Sequence, residues 1–218
     1  DVATYGDDNT VIHVRSGPLS LHHESRNGWG PERVASRVKE LCVEWAAWYN
    51  SREVAGNSGR PPLKPSEVAV IIELDGPGFA VLDNCMENGN LFGNWSGIKV
   101  AEASDELDAL GTPKYFNKRS EIWHAGASKA HKGDMDLSRL PKDVLRNLQN
   151  QLLTPAYELL PAGTIKVESK DAIKERLRRS PDDADALLVC YCDIVGWAPH
   201  VLFKQEDRYG KRDDWNRR

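Results

Sequence analysis

The chain has 218 residues, 40% hydrophobic and 28% charged, enough for one sizeable domain with its own core or for two small ones, in an ordinary globular composition. Its formal net charge of -4 excludes a uniformly basic nucleic-acid coat but leaves room for a local basic patch. No apolar run reaches the ~20 residues of a membrane-spanning helix and no signal peptide is visible. Cys42, Cys85, Cys190 and Cys192 lie among apolar neighbours with no pair of Cys-x-x-Cys units, which reads as reduced core thiols rather than a zinc site.

The opening "DVATYGDDNTVIHVRSG" reads as cut just before or inside a strand, as in a domain excised from a longer protein. Asp7-Asp8 is expected to form a turn. The β-branched "TVIHVRS" (10–16) predicts a strand, Gly17-Pro18 a turn, and the alternating "LSLHHES" a second, antiparallel strand. "PERVASRVKELCVEWAAWYNSR" opens with Pro31 and Glu32 in first-turn positions, then repeats Val34, Val38, Leu41, Trp45 and Trp48 at helical spacing, a stripe read as core. The Gly/Pro/Ser-rich stretch around 51–66 reads as a loop. "EVAVIIELD" (67–75) is a continuous apolar run suited to a strand covered on both faces. A Gly-Pro-Gly turn and a short helix follow, then "IKVAEA" as a strand, "NKRSEIWHAGASKAH" and "PKDVLRNLQNQLL" as helices, "GTIKVES" as a short strand, "KDAIKERLRRS" as a helix and "PDDADALLVCYCDIVGWA" as the last helix. The order β-β-α-β-α-β-α-α-β-α-α predicts an α/β domain with a mixed central sheet and helices on both faces. The charged tail from about residue 204 has no apolar face and is expected to be disordered.

Acidic residues fall at conspicuous places: Asp1 at the first strand-like segment, Glu73 and Asp75 at the end of an apolar strand, and Asp182, Asp183 and Asp185 where the last helix begins. Carboxylates converging from strand ends and a helix start cannot all stay ionised without a cation, and hard oxygen ligands suit Mg²⁺ or Mn²⁺ rather than zinc. Most of the 33 acids must nevertheless be solvated surface. His22-His23 reads as a core or surface pair rather than a metal site.

Several blocks, in order, resemble the C-terminal nuclease domain of the large terminase subunit of tailed bacteriophages. They are "DVATYGDDNTVIHVRSG", "VIIELDGPGFAVLD", "YFNKRSEIW", and the long block from "LPKDVLRNLQNQLL" through "KVESKD" to "SPDDADALLVCY"; together they span almost the whole chain. The resemblance implies an RNase H-like (RuvC-like) fold and a metal-dependent endonuclease that cuts concatemeric viral DNA during genome packaging. It implies Asp1, Glu73 and Asp185 as catalytic metal ligands. Asp75 shares a strand face with Glu73 and is an alternative second ligand. Asp182 lies one turn before Asp185 on the same helix face and is an additional one. Asp183 points about 200° away from Asp185 and reads as a cap or solvated residue. Lys166, Lys170 and Arg119, with Lys118, are candidates for phosphate contact.

The expectation is a single nuclease domain over 1–218 that uses two divalent ions, Mg²⁺ or Mn²⁺, in phosphodiester hydrolysis. No Gly-x-x-x-x-Gly-Lys-Ser/Thr loop is present, so the upstream ATPase domain of a terminase is expected to be absent from this chain. The implied partners are double-stranded DNA and, in a full protein, the ATPase domain, the small terminase subunit and the portal. The implied location is the host cytoplasm, with no membrane. The alternatives are another RNase H-like nuclease, such as a junction resolvase or ribonuclease, and a non-catalytic module that docks on DNA or the portal.

Overall fold

A computed structural model of the chain describes residues 1–3, 8–51, 54, 61–87 and 92–192. The expected tail from about 204, Asp7 and most of the loop at 51–60 lie outside the described residues.

Strands β1 (Thr10–Ser16) and β2 (Leu19–Arg26) form an antiparallel hairpin, with Gly17 at φ 60° in the turn and a register irregularity between Val14 and Arg15. The left-handed φ is what glycine supplies without a Cβ penalty. Helix α1 (Pro31–Asn50) starts on a proline at its first positions. A 3₁₀ turn (Pro65–Glu67) leads into β3 (Ala69–Glu73), helix α2 (Gly78–Glu87) and β4 (Asn94–Ile98), which pairs parallel with β3 from Ala69↔Asn94 to Glu73↔Ile98. Helix α3 (Lys118–Lys132) is capped by the Asn117 side chain, which accepts from the Ser120 amide at 2.9 Å, and ends on Gly133 at φ 74°. Helix α4 (Lys142–Leu153), a small antiparallel pair β5 (Tyr157–Leu159) and β6 (Ile165–Val167), helix α5 (Lys170–Leu177) and helix α6 (Asp182–Tyr191) complete the described elements.

Side chains alternate across a strand, and β3 uses both faces. Ile72 packs with Val34, Ala35, Val81 and Trp95, among α1, α2 and β4, whereas Ile71 packs against the cluster of Ile122, Trp123, Ala184 and Leu188 from α3 and α6. A third cluster, Leu140, Leu148, Leu187 and Tyr191, seats α6 on α4. Beyond its acidic first turn, helix α6 is therefore apolar and buried on nearly every side. Its contact with α3 is close enough that a Cβ on Gly126 would stand 2.2 Å from Leu188 Cδ2.

Five differences from the sequence reading have physical reasons. The strand expected at "IKVAEA" lies earlier, at Asn94–Ile98, where Gly97 lets Leu74 lie against the backbone; a Cβ there would meet Leu74 Cδ1 at 2.2 Å. Strand β5 is missed because it is only three residues long and all three are exposed. The last helix stops at Tyr191, since Cys192 is extended at φ -72°, ψ 133°. Among the described residues the expected central sheet is hydrogen-bonded as two-stranded ladders, β2–β1 and β3–β4, with an apolar cleft of about 910 Å³ between β1 and β3. The Trp45–Trp48 pair, in T-shaped contact at 5.6 Å, is half-buried and lines that cleft rather than sitting in a closed core.

Candidate active site

The first turn of α6 carries the site. Pro181 stands at the cap position, and no side chain caps the helix, so its aspartates are turned to other partners. Asp182 and Asp185, three residues apart, share a helix face. The Ser180 hydroxyl donates to Asp182 Oδ1 at 2.5 Å and the Asn9 amide donates to its Oδ2 at 2.9 Å. Asp185 Oδ1 accepts from the Trp123 indole N–H at 2.8 Å and from Arg119 Nη2 at 3.3 Å. Its other oxygen, Oδ2, is buried and has no hydrogen-bond partner.

Asp1 is brought to this turn by a reciprocal backbone pair with Val11: its nitrogen donates to Val11 O at 3.2 Å and its carbonyl accepts from Val11 N at 2.9 Å. Lys170 opens α5 directly after Ser169, whose hydroxyl oxygen accepts from the Ala172 amide. Its ammonium stands 3.0 Å from Asp1 Oδ2, 3.0 Å from Asp182 Oδ1 and 3.5 Å from Asp185 Oδ2. One cation thus holds three carboxylates from two distant parts of the chain. Burial pulls the Lys170 ammonium down, but the charges of Asp185 and Asp182 outweigh it and leave its pKa raised. Glu73, at the end of β3, belongs to the same electrostatic group. Burial raises its pKa, Lys170 and the amino terminus oppose, and Asp185 and Asp75 add to the rise. Its position depends on Gly78, since a Cβ there would fall 1.8 Å from the Glu73 carbonyl oxygen.

Among the described residues no three carboxylate, imidazole or thiolate groups stand close enough together to form a ready-made metal cage. What lies between Asp1, Asp182 and Asp185 is the Lys170 ammonium. The donor set, all carboxylate with one buried oxygen on Asp185 that accepts no hydrogen bond, nonetheless suits a hard divalent cation.

The other residues singled out in the sequence fall as follows. Asp75 accepts from the Ala101 amide at 2.7 Å, tying the end of β3 to the turn after β4. Lys166 pairs with Glu158 across β5–β6 at 3.0 Å and lies over the Phe116 ring. Arg119 is mostly buried, donates to the Glu168 carbonyl at 2.7 Å and reaches Asp185, so it braces a carboxylate rather than offering a free guanidinium. Lys118 bonds Asp105 at 2.9 Å. Asp183 is a correction: it is neither cap nor solvated but 5% exposed. It accepts from His23 Nε2, Asn147 Nδ2 and Gln151 Nε2, each at 2.8 Å. Burial alone would push this carboxyl up; the bonds from His23, Gln151 and Asn147 prevail and hold it at about 2. The expected solvated face does not exist because β2 and α4 cover it. His23 is accordingly a buried structural histidine, in contact with His13 (Nδ1···Nδ1 3.0 Å).

Sequence reasoning did not single out Trp123, Gln151 or Asn147. Trp123 reads as core by spacing, and nothing in a helix pattern announces that its N–H is spent on Asp185. Gln151 is 1% exposed; its amide donates to Asp183 while its carbonyl accepts from Ala184 N at 2.9 Å, so it clamps the start of α6 from both sides.

The fold with this site at strand and helix ends is a mixed α/β one of the RNase H-like kind. Comparison with solved structures gives it a more particular likeness, the nuclease domain of the large terminase subunit. The chain matches the nuclease domain of the large terminase subunit gp2 of bacterial virus Sf6 with TM-score 0.66 and 18% identity, over 87% of this chain and 85% of that one. A lysine-to-alanine mutant of the same domain, with manganese and beta-thujaplicinol, matches at TM-score 0.65 and 19% identity over the same shares. Another such mutant, with calcium, matches at TM-score 0.66 and 18% identity, again over 87% and 85%. No protein-family profile matches the chain, and no curated protein matches it.

Proposed function

We propose that the protein is a divalent-metal-dependent DNA endonuclease domain acting in viral genome packaging. The observation that carries this reading is the convergence of Asp1, Asp182 and Asp185 on the Lys170 ammonium, with Glu73 in their electrostatic company and one buried carboxylate oxygen that accepts no hydrogen bond. The likeness to a terminase nuclease domain that has been seen with manganese and with calcium supports it.

Asp1, Glu73, Asp182 and Asp185 are the residues that would hold two ions, Mg²⁺ or Mn²⁺, with Asp75 behind Glu73. When bound, such ions neutralise charge on a scissile phosphate and lower the pKa of an attacking water. The chain's own residues do the rest. Trp123 and Arg119 fix the orientation of the Asp185 carboxylate, leaving Oδ2 for a ligand. Ser180 and Asn9 do the same for Asp182. Lys170 keeps the carboxylates charged and close in the absence of a metal, and its flexible stem lets the ammonium swing toward a phosphate oxygen when a metal takes its place. The net charge of -4 implies that the isolated domain binds DNA weakly, mainly through phosphates, and that other parts of a packaging motor deliver the duplex. The ATPase domain, small subunit and portal are the partners of that setting, in the host cytoplasm; no helix among the described residues is long and apolar enough to cross a membrane.

Plasmid nicking in Mn²⁺ tests the reading. Asp185→Asn is expected to abolish it. Unchanged nicking by that variant, or preferential cutting of an RNA–DNA hybrid over duplex DNA, would overturn the assignment.

A further inference from the structure

The basic residues that the sequence offers for phosphate contact are engaged within the protein. Lys166 pairs with Glu158, Lys118 with Asp105, and Arg119 with the Glu168 carbonyl and Asp185. Helix α5 carries basic residues at four-residue spacing, on one face. Its Lys170 holds the acidic group, and its Lys174 donates to Asp8 at 2.6 Å. One turn further comes Arg178, the C-cap of the helix, followed by Arg179. Both are exposed, and among the described residues neither guanidinium makes a hydrogen bond, an ion pair or a ring contact. Two arginines thus stand uncommitted just before the acidic turn at Asp182, in a chain of net charge -4.

The backbone marks the same spot. Arg178 has φ 59° and ψ 19°, and it is the only non-glycine at positive φ among the described residues. Glycine takes that conformation freely and is the usual residue at a left-handed helix end, whereas an L side chain is strained there. The helix dipole does not call for this arginine, because Lys174 and Arg176 already lie in the last turn. Packing does not either, since the side chain is exposed. Strain that no local contact explains gathers at binding sites. The link to the acidic turn is also stiff. Ile173 and Pro181 on either side are fully buried, and the buried Ser180 donates to Asp182 Oδ1. Arg179 and Asp182 are three positions apart in the chain, so their Cα atoms are separated by at most ~11 Å. That is about three nucleotide steps along one DNA strand, at ~3.4 Å each.

We propose that Arg178 and Arg179 bind backbone phosphates of duplex DNA and seat the strand within about three nucleotides of the bond to be cut. This rests on the endonuclease reading and adds to it the residues that set the strand on the site. A guanidinium grips a phosphate with two parallel N–H donors, which fixes orientation as well as supplying charge. The two positive charges also offset the repulsion that a polyanion meets on approaching Asp1, Glu73, Asp182 and Asp185. Contacts of this kind position the duplex and read no sequence.

Fluorescence anisotropy of a short labelled DNA duplex in EDTA, across a salt series, reads binding without cleavage. Arg178→Gly and Arg179→Gln are each expected to lower the slope of log K against log[salt] by about 1 and to weaken binding ~10-fold at low salt. Lys39→Gln makes the same loss of charge on α1, which packs on the other face of β3, and is expected to leave the slope unchanged. Arg178→Lys keeps the charge and should keep the slope. Arg178→Gly should not lower Tm, because it relieves a strained position. In Mn²⁺-dependent nicking, the effect of Arg178→Gly and Arg179→Gln should fall on KM rather than on kcat. An unchanged slope in both arginine variants, or an equal fall in Lys39→Gln, overturns the proposal. A lowered Tm with full DNA affinity in Arg178→Gly overturns it too, since Arg178 would then be a structural cap. Binding in EDTA needs no metal, so this proposal and the endonuclease assignment fail on different measurements.

Discussion

Replacing Lys170 with alanine separates the two roles that the acidic group can play. In the metal-free protein the ammonium makes contacts of 3.0, 3.0 and 3.5 Å to three carboxylates. Each such contact is worth about 5 kcal/mol of bare Coulomb energy at an effective dielectric near 20, but desolvation cancels most of it. The lysine side chain is 35% exposed, so water screens it further. About 1 kcal/mol per contact is a reasonable net value, or about 3 kcal/mol for the three. Lys170→Ala should therefore lower the metal-free Tm by roughly 6–12 °C, at about 2–4 °C per kcal/mol for a chain of this size. The same 3 kcal/mol is what a divalent ion must overcome to displace the ammonium. Its removal should tighten Mn²⁺ binding by up to about 100-fold, at 1.4 kcal/mol per tenfold. Calorimetric titration with Mn²⁺ and thermal melts with and without the ion read both effects, and saturating Mn²⁺ should restore the lost Tm. Mn²⁺ affinity unchanged or weaker in the variant would refute the reasoning, because Lys170 would then not occupy the place a cation takes.

Other predictions follow the same contacts. Trp123→Phe keeps the ring but removes the N–H that orients Asp185; Mn²⁺ affinity should fall by about 10-fold while stability falls by only about 1 kcal/mol, read by titration and denaturant melts. Gly78→Ala must push the Glu73 backbone aside, so Mn²⁺-dependent nicking should drop even in preparations that melt cooperatively. Gly126→Ala drives α3 into Leu188 and should cost about 1–3 kcal/mol in urea unfolding. Burial first, and then His23, Arg15 and His22, hold the His13 pKa well below 6.5. The unfolded chain therefore binds the His13 proton more readily, so its contribution to stability is complete above about pH 6.5 and is lost as the pH falls below it. His13→Gln should flatten that part of the stability–pH curve.

Spacing places acids at strand ends and at a helix start, and a helical i,i+3 pair shares a face, but the choice of Asp1, Glu73 and Asp185, with Asp182 as an addition, comes from the resemblance; the structure gathers Asp1, Asp182 and Asp185 around the Lys170 ammonium, with Glu73 in electrostatic reach. Asp183 was misread by the same arithmetic. Rotation about a helix places a side chain on the far side, but it cannot reveal that β2 and α4 cover that side and supply three donors. Strand β4 was displaced from its expected place because its pattern, Asn94 to Ile98, includes a glycine that only Leu74 explains. Trp123 and Gln151 were illegible for a different reason. Their sequence signals say core and helix, and the polar atom that matters is specified by a partner more than thirty residues away.

The central question for this protein is whether the acidic group is the seat of a divalent ion. Anomalous diffraction from crystals grown with Mn²⁺ tests this directly. The predicted result is Mn²⁺ density among Asp1, Asp182 and Asp185, in contact with Asp185 Oδ2, and with the Lys170 ammonium displaced. Saturating Mn²⁺ with density elsewhere, and Lys170 still bonded to all three carboxylates, would contradict it.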